Sequence, residues 1–176
     1  MKIAFVSAPG KGETDRLLTQ AAQALEARGL ALSGIVKDMS HDSRFENGCD
    51  MKVRVLSDHS IIQITQDLGS GSNACRLNPT AIAEAVARVE ASDMAKADFF
   101  LLNKFGPEEA EGRGFVSAIS KALELDIPVL VGVSPANRAA FDSFAGGLAV
   151  ELPNDANKIH IWCMNAQGEV NKLSAE

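Results

Sequence analysis

The feature that most restricts this chain is its opening: an apolar strand, a turn of breakers, an amphipathic helix, a glycine and a second apolar strand. Lys2 to Ser7 reads as the strand, and Ala8-Pro9-Gly10-Lys11-Gly12 as the turn. From Thr14 to Arg28, Leu17, Leu18, Ala21, Ala22 and Leu25 recur at helical spacing, and Gly29 supplies the stop. Leu30 to Val36 is the second apolar run. That order predicts a βαβ unit with a right-handed crossover, and with it a parallel sheet.

The middle of the chain changes rhythm. Asp38 to Asp50 is polar and reads as a loop. Met51 to Leu56 alternates, Ser57-Asp58-His59-Ser60 turns, and Ile61 to Thr65 runs on, which predicts an antiparallel hairpin. After the loop Gly69 to Asn73, Asn78-Pro79 caps a helix reaching about Met94, with Ala81, Ile82, Ala85, Val86 and Val89 on its buried face.

The α/β rhythm then returns. Ala97 to Asn103 holds Phe99-Phe100-Leu101-Leu102, suited to a central strand buried on both faces. Lys104 to Gly114 reads as a charged loop, Phe115 to Leu125 as a helix, Ile127 to Val133 as a strand and Pro135 to Phe144 as a short helix. Leu148 to Leu152 and Lys158 to Met164 are read as edge strands. The expected fold is one α/β domain over residues 1–176: three layers, a mostly parallel sheet, and an inserted antiparallel β-hairpin.

Composition narrows the function classes. A chain of 176 residues buries about 70% of its unfolded surface, enough for its own core. A net charge of −6 and a pI near 5.1 argue against a nucleic-acid partner, which would require a basic face. Three cysteines without a CxxC pair support neither a disulfide scaffold nor a structural zinc site. No run approaches the roughly 20 apolar residues of a membrane span, and the first strand is too short for a signal segment. These features predict a cytoplasmic, reduced protein.

Two strand ends carry the chemistry. A phosphate-binding loop reads G-x-x-x-x-G-K-[ST]: backbone N–H groups and a helix N-terminus cradle the phosphates, and the Lys reaches the β/γ-phosphates. Here Gly12 and Thr14 keep the register, but Glu13 stands at the lysine position. Gly10 and Gly12 offer backbone amides, and Lys11 lies two residues before the vacant lysine position. At the end of the Phe99 to Leu102 strand, a Walker B motif would place an Asp on magnesium and a Glu on water. This chain has Asn103 and Lys104 there, so the signs at the two strand ends are exchanged. If the two strands are neighbours, Glu13 and Lys104 pair, or Lys104 takes over the anion. The plain alternative is a strand-to-helix turn and a buried strand without a ligand.

Further candidates flank these ends. In Pro107 to Gly114, glycines surround Arg113 just before a helix, where a guanidinium fork suits an oxyanion. The alternative is that Arg113 answers Glu108, Glu109 and Glu111. Glu108 and Glu109 read as a solvated acidic face or, less simply, as a general base. Ser70, Ser72 and Arg76 offer a second wall to the pocket, or a plain connector into the Asn78-capped helix. Cys75 lies beside Arg76, which favours its thiolate. His41, Asp42, Cys49, Asp50, Asp58 and His59 match no metal-site spacing, so no metal centre is expected.

Gln66 to Pro79, together with Leu102-Asn103-Lys104-Phe105-Gly106 and Glu109-Ala110-Glu111-Gly112-Arg113-Gly114, resembles the bacterial family called domain of unknown function 2478. That family is often found beside molybdate-transport genes, which implies a protein partner in molybdate metabolism. The order of elements also resembles the P-loop nucleoside-triphosphatase family of thermophiles and animals, whose Walker B strand reads I-D-E-I-G. Gly12, Thr14, Gly106 and Glu109 match that pattern, and Glu13, Asn103 and Lys104 depart from it. The resemblance implies a P-loop fold. The departures predict a binder of a nucleotide or small oxyanion with weak or no hydrolysis, at a pocket of Gly10, Lys11, Gly12, Thr14, Ser70, Ser72, Arg76, Asn103, Lys104 and Arg113. Two alternatives stand: a non-enzymatic accessory module in molybdate handling, alone or as a homo-oligomer, and an active triphosphatase with atypical residues.

Overall fold

The computed structural model describes residues 2–41, 50–66 and 76–173. The opening unit forms as its sequence dictates: β1 (Ile3–Val6), α1 (Glu13–Glu26) and β2 (Leu32–Lys37). Leu17, Leu18, Ala22 and Leu25 line the buried stripe of α1, and Glu13 and Asp15 put acids in the first turn, where the helix dipole favours them. The hairpin follows as β3 (Lys52–Val55) and β4 (Ile61–Gln63), and β5 (Thr65–Gln66) pairs with β6 (Arg76–Leu77) in a separate two-stranded sheet. Helix α2 (Pro79–Ala91) starts where Asn78 Oδ1 accepts from the N–H groups of Thr80 and Ala81, with Pro79 at the first helical position.

Five further elements complete the α/β half: β7 (Phe99–Phe105), the one-turn α3 (Pro107–Ala110), α4 (Val116–Glu124), β8 (Val129–Val133) and α5 (Arg138–Ala145). The last two are β9 (Val150–Leu152) and α6 (Ala156–Leu173). The main sheet has seven strands in the order β4-β3-β2-β7-β8-β1-β9. The strands from β2 to β9 in that order run parallel, and the hairpin adds two antiparallel strands at one edge. On one face α1 and α6 cover Ala4, Val6, Leu101 and Leu130. On the other α2, α4 and α5 cover Phe5, Phe100, Leu102 and Val131. This is the three-layer, mostly parallel α/β architecture that the periodicity predicts. Among the described residues no helix is long and apolar enough to cross a membrane.

One element differs in kind. Lys158 to Met164, expected as an edge strand, lies inside α6. The alternation of Ile159, Ile161 and Cys163 imitates a strand, but Ile159, Cys163 and Ala166 are the buried positions, and Ile161 is 54% exposed. Burial at i, i+4 and i+7 is a helical stripe. Asp155 Oδ1 accepts from the Lys158 N–H at 2.9 Å and starts that helix. Lys2, just before β1, is tied to this helix: its Nζ donates to the Ala166 carbonyl at 2.6 Å.

Candidate functional site

The turn after β1 is closed on itself. The Ala8 N–H donates to Thr14 Oγ1 at 3.0 Å, and the Glu13 N–H to the Gly10 carbonyl at 3.1 Å. Gly12 stands at φ 73°, a left-handed conformation that favours glycine. Gly10, Lys11 and Gly12 are exposed. The Glu13 carboxylate folds back over Gly10: a β-carbon built there would stand 2.8 Å from Glu13 Oε2. Its cationic partner is Arg16, at 4.0 Å on the exposed side of the helix. The Glu13 carboxylate thus lies beside the turn, in the first turn of α1 where the helix dipole favours an acid.

Behind the turn lies a polar network that the sequence did not reveal. Asn103 is buried near the end of β7, where its Oδ1 accepts from the Lys37 N–H at 3.0 Å and its Nδ2 donates to Asp15 Oδ1 at 3.1 Å. Lys37 Nζ stands 3.5 Å from Asp15 Oδ2, and the Thr19 hydroxyl donates to the Lys37 carbonyl. Asp15 is a buried carboxylate with both a cation and an amide donor, the condition under which a buried charge is tolerated. Asn103 thus ties β7 to β2 and to the first turn of α1. Gly132 of β8 gives them room: a β-carbon there would stand 2.1 Å from the Asn103 carbonyl oxygen and 3.0 Å from Thr14 Cγ2. An Asp in a helix's first turn reads only as a dipole partner, and nothing local in the sequence connects Asp15, Lys37 and Gly132.

The strand order also decides the expected pairing of Glu13 with Lys104. Strand β8 lies between β1 and β7, so the two strand ends are not neighbours, and Glu13 stays over its own turn. Lys104 is exposed, and no ion pair engages it among the described residues.

The segment from Lys104 to Gly114 is more ordered than a charged loop. It begins with the last two residues of β7, and α3 follows. Glu109, expected on a solvated face, is buried. Its two carboxylate oxygens accept from the Gly106 N–H at 2.9 Å and the Phe115 N–H at 3.0 Å, stapling both ends of the segment. Gly114, at φ 57°, makes room for that carboxylate, since a β-carbon there would stand 2.1 Å from Glu109 Oε1. Arg113 bonds Glu108 at 2.8 Å and Glu111 at 2.6 Å. Hydrogen bonding to the Arg113 guanidinium holds the Glu108 carboxyl below the usual range, and Glu108, then Glu111, push the guanidinium further up. The described geometry thus turns Arg113 toward acids of its own loop.

The remaining candidates divide. Ser70, Ser72 and Cys75 lie outside the described residues, as do Asp42 and Cys49, and the backbone of Arg76 is in β6. His41 Nε2 stands 2.9 Å from Oδ2 of the fully buried Asp50, which brings the two ends of the 42–49 segment together. Cys163 is buried against α1, and burial pushes its thiol up to about 12. Beside Lys104, on the α2 face of the sheet, a cavity of about 130 Å³ opens at the end of β7. Its walls are mainly apolar, with Ile35, Val53, Ile64, Ile82 and Phe115 among them.

Comparison with known proteins places this geometry. The solution structure of a human cancer-related nucleoside triphosphatase superposes with a TM-score of 0.57 at 15% identity, covering 100% of this chain and 99% of that one. The likeness is one of fold, the P-loop nucleoside-triphosphatase fold. Over 174 residues, 98% of its length, the chain is 29% identical to the molybdenum import ATP-binding protein ModC 2 of Bradyrhizobium diazoefficiens. It spans only 19% of that relative's length. Residues 3–162 match the family described as Protein of unknown function (DUF2478), and the chain belongs to that family.

Proposed function

We propose that this chain binds a nucleotide or small oxyanion in the cytoplasm at the C-terminal edge of its sheet and hydrolyses it slowly or not at all. The observation that carries the reading is the exchange of charge between two strand ends. The β1 turn keeps the glycines and Thr14 of a phosphate loop but holds Glu13 in the lysine position. The end of β7 offers Lys104, a cation without an acid partner among the described residues. In this reading Gly10, Lys11, Gly12 and Thr14 contribute backbone amides and a hydroxyl once Glu13 swings away, and Lys104 contributes charge. Ser70, Ser72 and Arg76 complete the proposed pocket, and Arg113 joins it on leaving Glu108 and Glu111. Asn103 is neutral, and both ends of its amide are engaged by Lys37 and Asp15. A residue so committed is poorly suited to the magnesium role of a Walker B acid.

The similarity to a molybdenum import ATP-binding protein supports both nucleotide binding and a second reading. In that reading the chain is an accessory module in molybdate handling, since the matched region makes up about a fifth of that relative.

A thermal-shift panel of ATP, GTP, phosphate, sulfate, molybdate and tungstate, with and without magnesium, tests the proposal. A ligand at about 100 times its Kd adds roughly 2.7 kcal/mol of stability. The expected result is stabilisation by at least one anion, reduced in Lys104→Ala, with no phosphate released from ATP. A flat panel would leave the accessory reading, and rapid phosphate release would make the chain an active triphosphatase.

A further inference from the structure

The cavity beside Lys104 is not used by the phosphate turn, which lies on the α1 side of the sheet. It sits on the opposite face, under α2, where Ile35 and Val53 of the sheet meet Ile82 and Phe115 of the covering layer. The hollow of about 130 Å³ opens to solvent past Lys104 and Leu77, and its mainly apolar walls are left without packing partners on that side. Water gains few hydrogen bonds from such walls, and a volume near the roughly 150 Å³ that admits benzene has room for an apolar ring. The hollow therefore has the size of one ring.

Its rim carries one cation and two acids. Lys104 lines it and has no acid partner among the described residues. The two acids at the same rim are committed elsewhere, Glu108 to Arg113 and Glu109 to the N–H groups of Gly106 and Phe115. Asn137 lines the rim too, with its Nδ2 donating to the Phe105 carbonyl at 3.0 Å. An apolar pocket with a few fixed polar groups is the usual form of a small-molecule site.

We propose that this cavity binds a small organic anion through one ring, whose carboxylate or phosphate group meets Lys104. The inference rests on the reading of Lys104 as an anion contact and adds an apolar subsite to it. Isothermal titration of the full chain with benzoate, phenyl phosphate, benzyl alcohol, acetate and inorganic phosphate tests it. Benzoate should bind about tenfold or more tightly than acetate, through burial of the ring. Ile82→Phe, which fills the hollow, should abolish that advantage and leave the response to inorganic phosphate intact. Should Ile82→Phe fail to fold, Met51→Phe fills the same hollow from the sheet side. Lys104→Met should weaken benzoate and spare benzyl alcohol. Equal binding of benzoate and acetate, or an advantage that survives a folded filling variant, overturns the subsite. A flat panel of inorganic anions and nucleotides beside Lys104-dependent benzoate binding removes the nucleotide reading and keeps the ring site. A positive panel with benzoate no better than acetate does the reverse.

Discussion

Two turns of this molecule use the same device with different permanence. Each follows a parallel strand, and in each a glutamate folds back toward a glycine three residues earlier: Glu13 over Gly10, and Glu109 onto the Gly106 N–H. Glu109 is buried and accepts two backbone N–H donors, so its carboxylate belongs to the fold. Glu13 is partly exposed, holds no backbone donor through its side chain, and has its arginine at 4.0 Å. The first carboxylate is held loosely and the second firmly. The lesson is that similar spacing in sequence does not give similar roles. What decides is how many buried donors the carboxylate satisfies.

The largest expected effect tests that contrast directly. Glu109→Ala leaves two backbone donors without partners and should cost about 2–4 kcal/mol in denaturant unfolding. Glu13→Ala should change stability by less than about 0.5 kcal/mol. Equal losses would erase the distinction between the clasps.

Next in size is Asn103→Asp, which restores a Walker B acid but sets it beside Asp15. Two adjacent carboxylates disfavour the second charge, so the folded-state pKa of one of them rises. A raised acid binds its proton more tightly in the folded state, so stability falls as pH rises through the unfolded value near 3.9. The variant should be about 1–3 kcal/mol less stable at pH 7, with much of the loss recovered in acid, as denaturant midpoints at several pH values would reveal. A pH-independent loss would mean that only the amide donor mattered.

Glu13→Lys sharpens the comparison at the first turn. It exchanges the loosely held clasp for the phosphate-loop lysine, and ATP or phosphate should bind about tenfold tighter, near 1.4 kcal/mol by titration. Unchanged affinity would place the anion elsewhere. The smallest effect is a control behind that turn. Cys163, buried against α1 with its thiol pushed up, should stay unlabelled by iodoacetamide at pH 8 until the chain unfolds, as peptide mass mapping would record.

The elements were legible wherever hydrophobic periodicity was strong and the breakers were clear. The βαβ opening, the hairpin and the buried strands β7 and β8 all announce themselves locally. The segment around Ile159 was misread because a short stretch of alternating apolar residues fits both periods, and burial chose the helix. The exchanged charges of the two strand ends follow from motif register alone, so they could be read without the fold. The Asp15–Asn103–Lys37 network and the room left by Gly132 could not, because they depend on β7 lying between β2 and β8. The role of Glu109 was hidden for the same kind of reason: its partners are backbone donors, which have no signature in sequence.

The bond from Lys2 to the Ala166 carbonyl has a consequence for how this sheet comes apart. It ties the start of β1 to the middle of α6, so the strand that opens the sheet and the helix that covers its α1 face are held to each other by a side chain as well as by packing. A strand paired on both sides and also held to the helix across its face has few ways to come loose alone, so β1 should open only with the rest of the sheet.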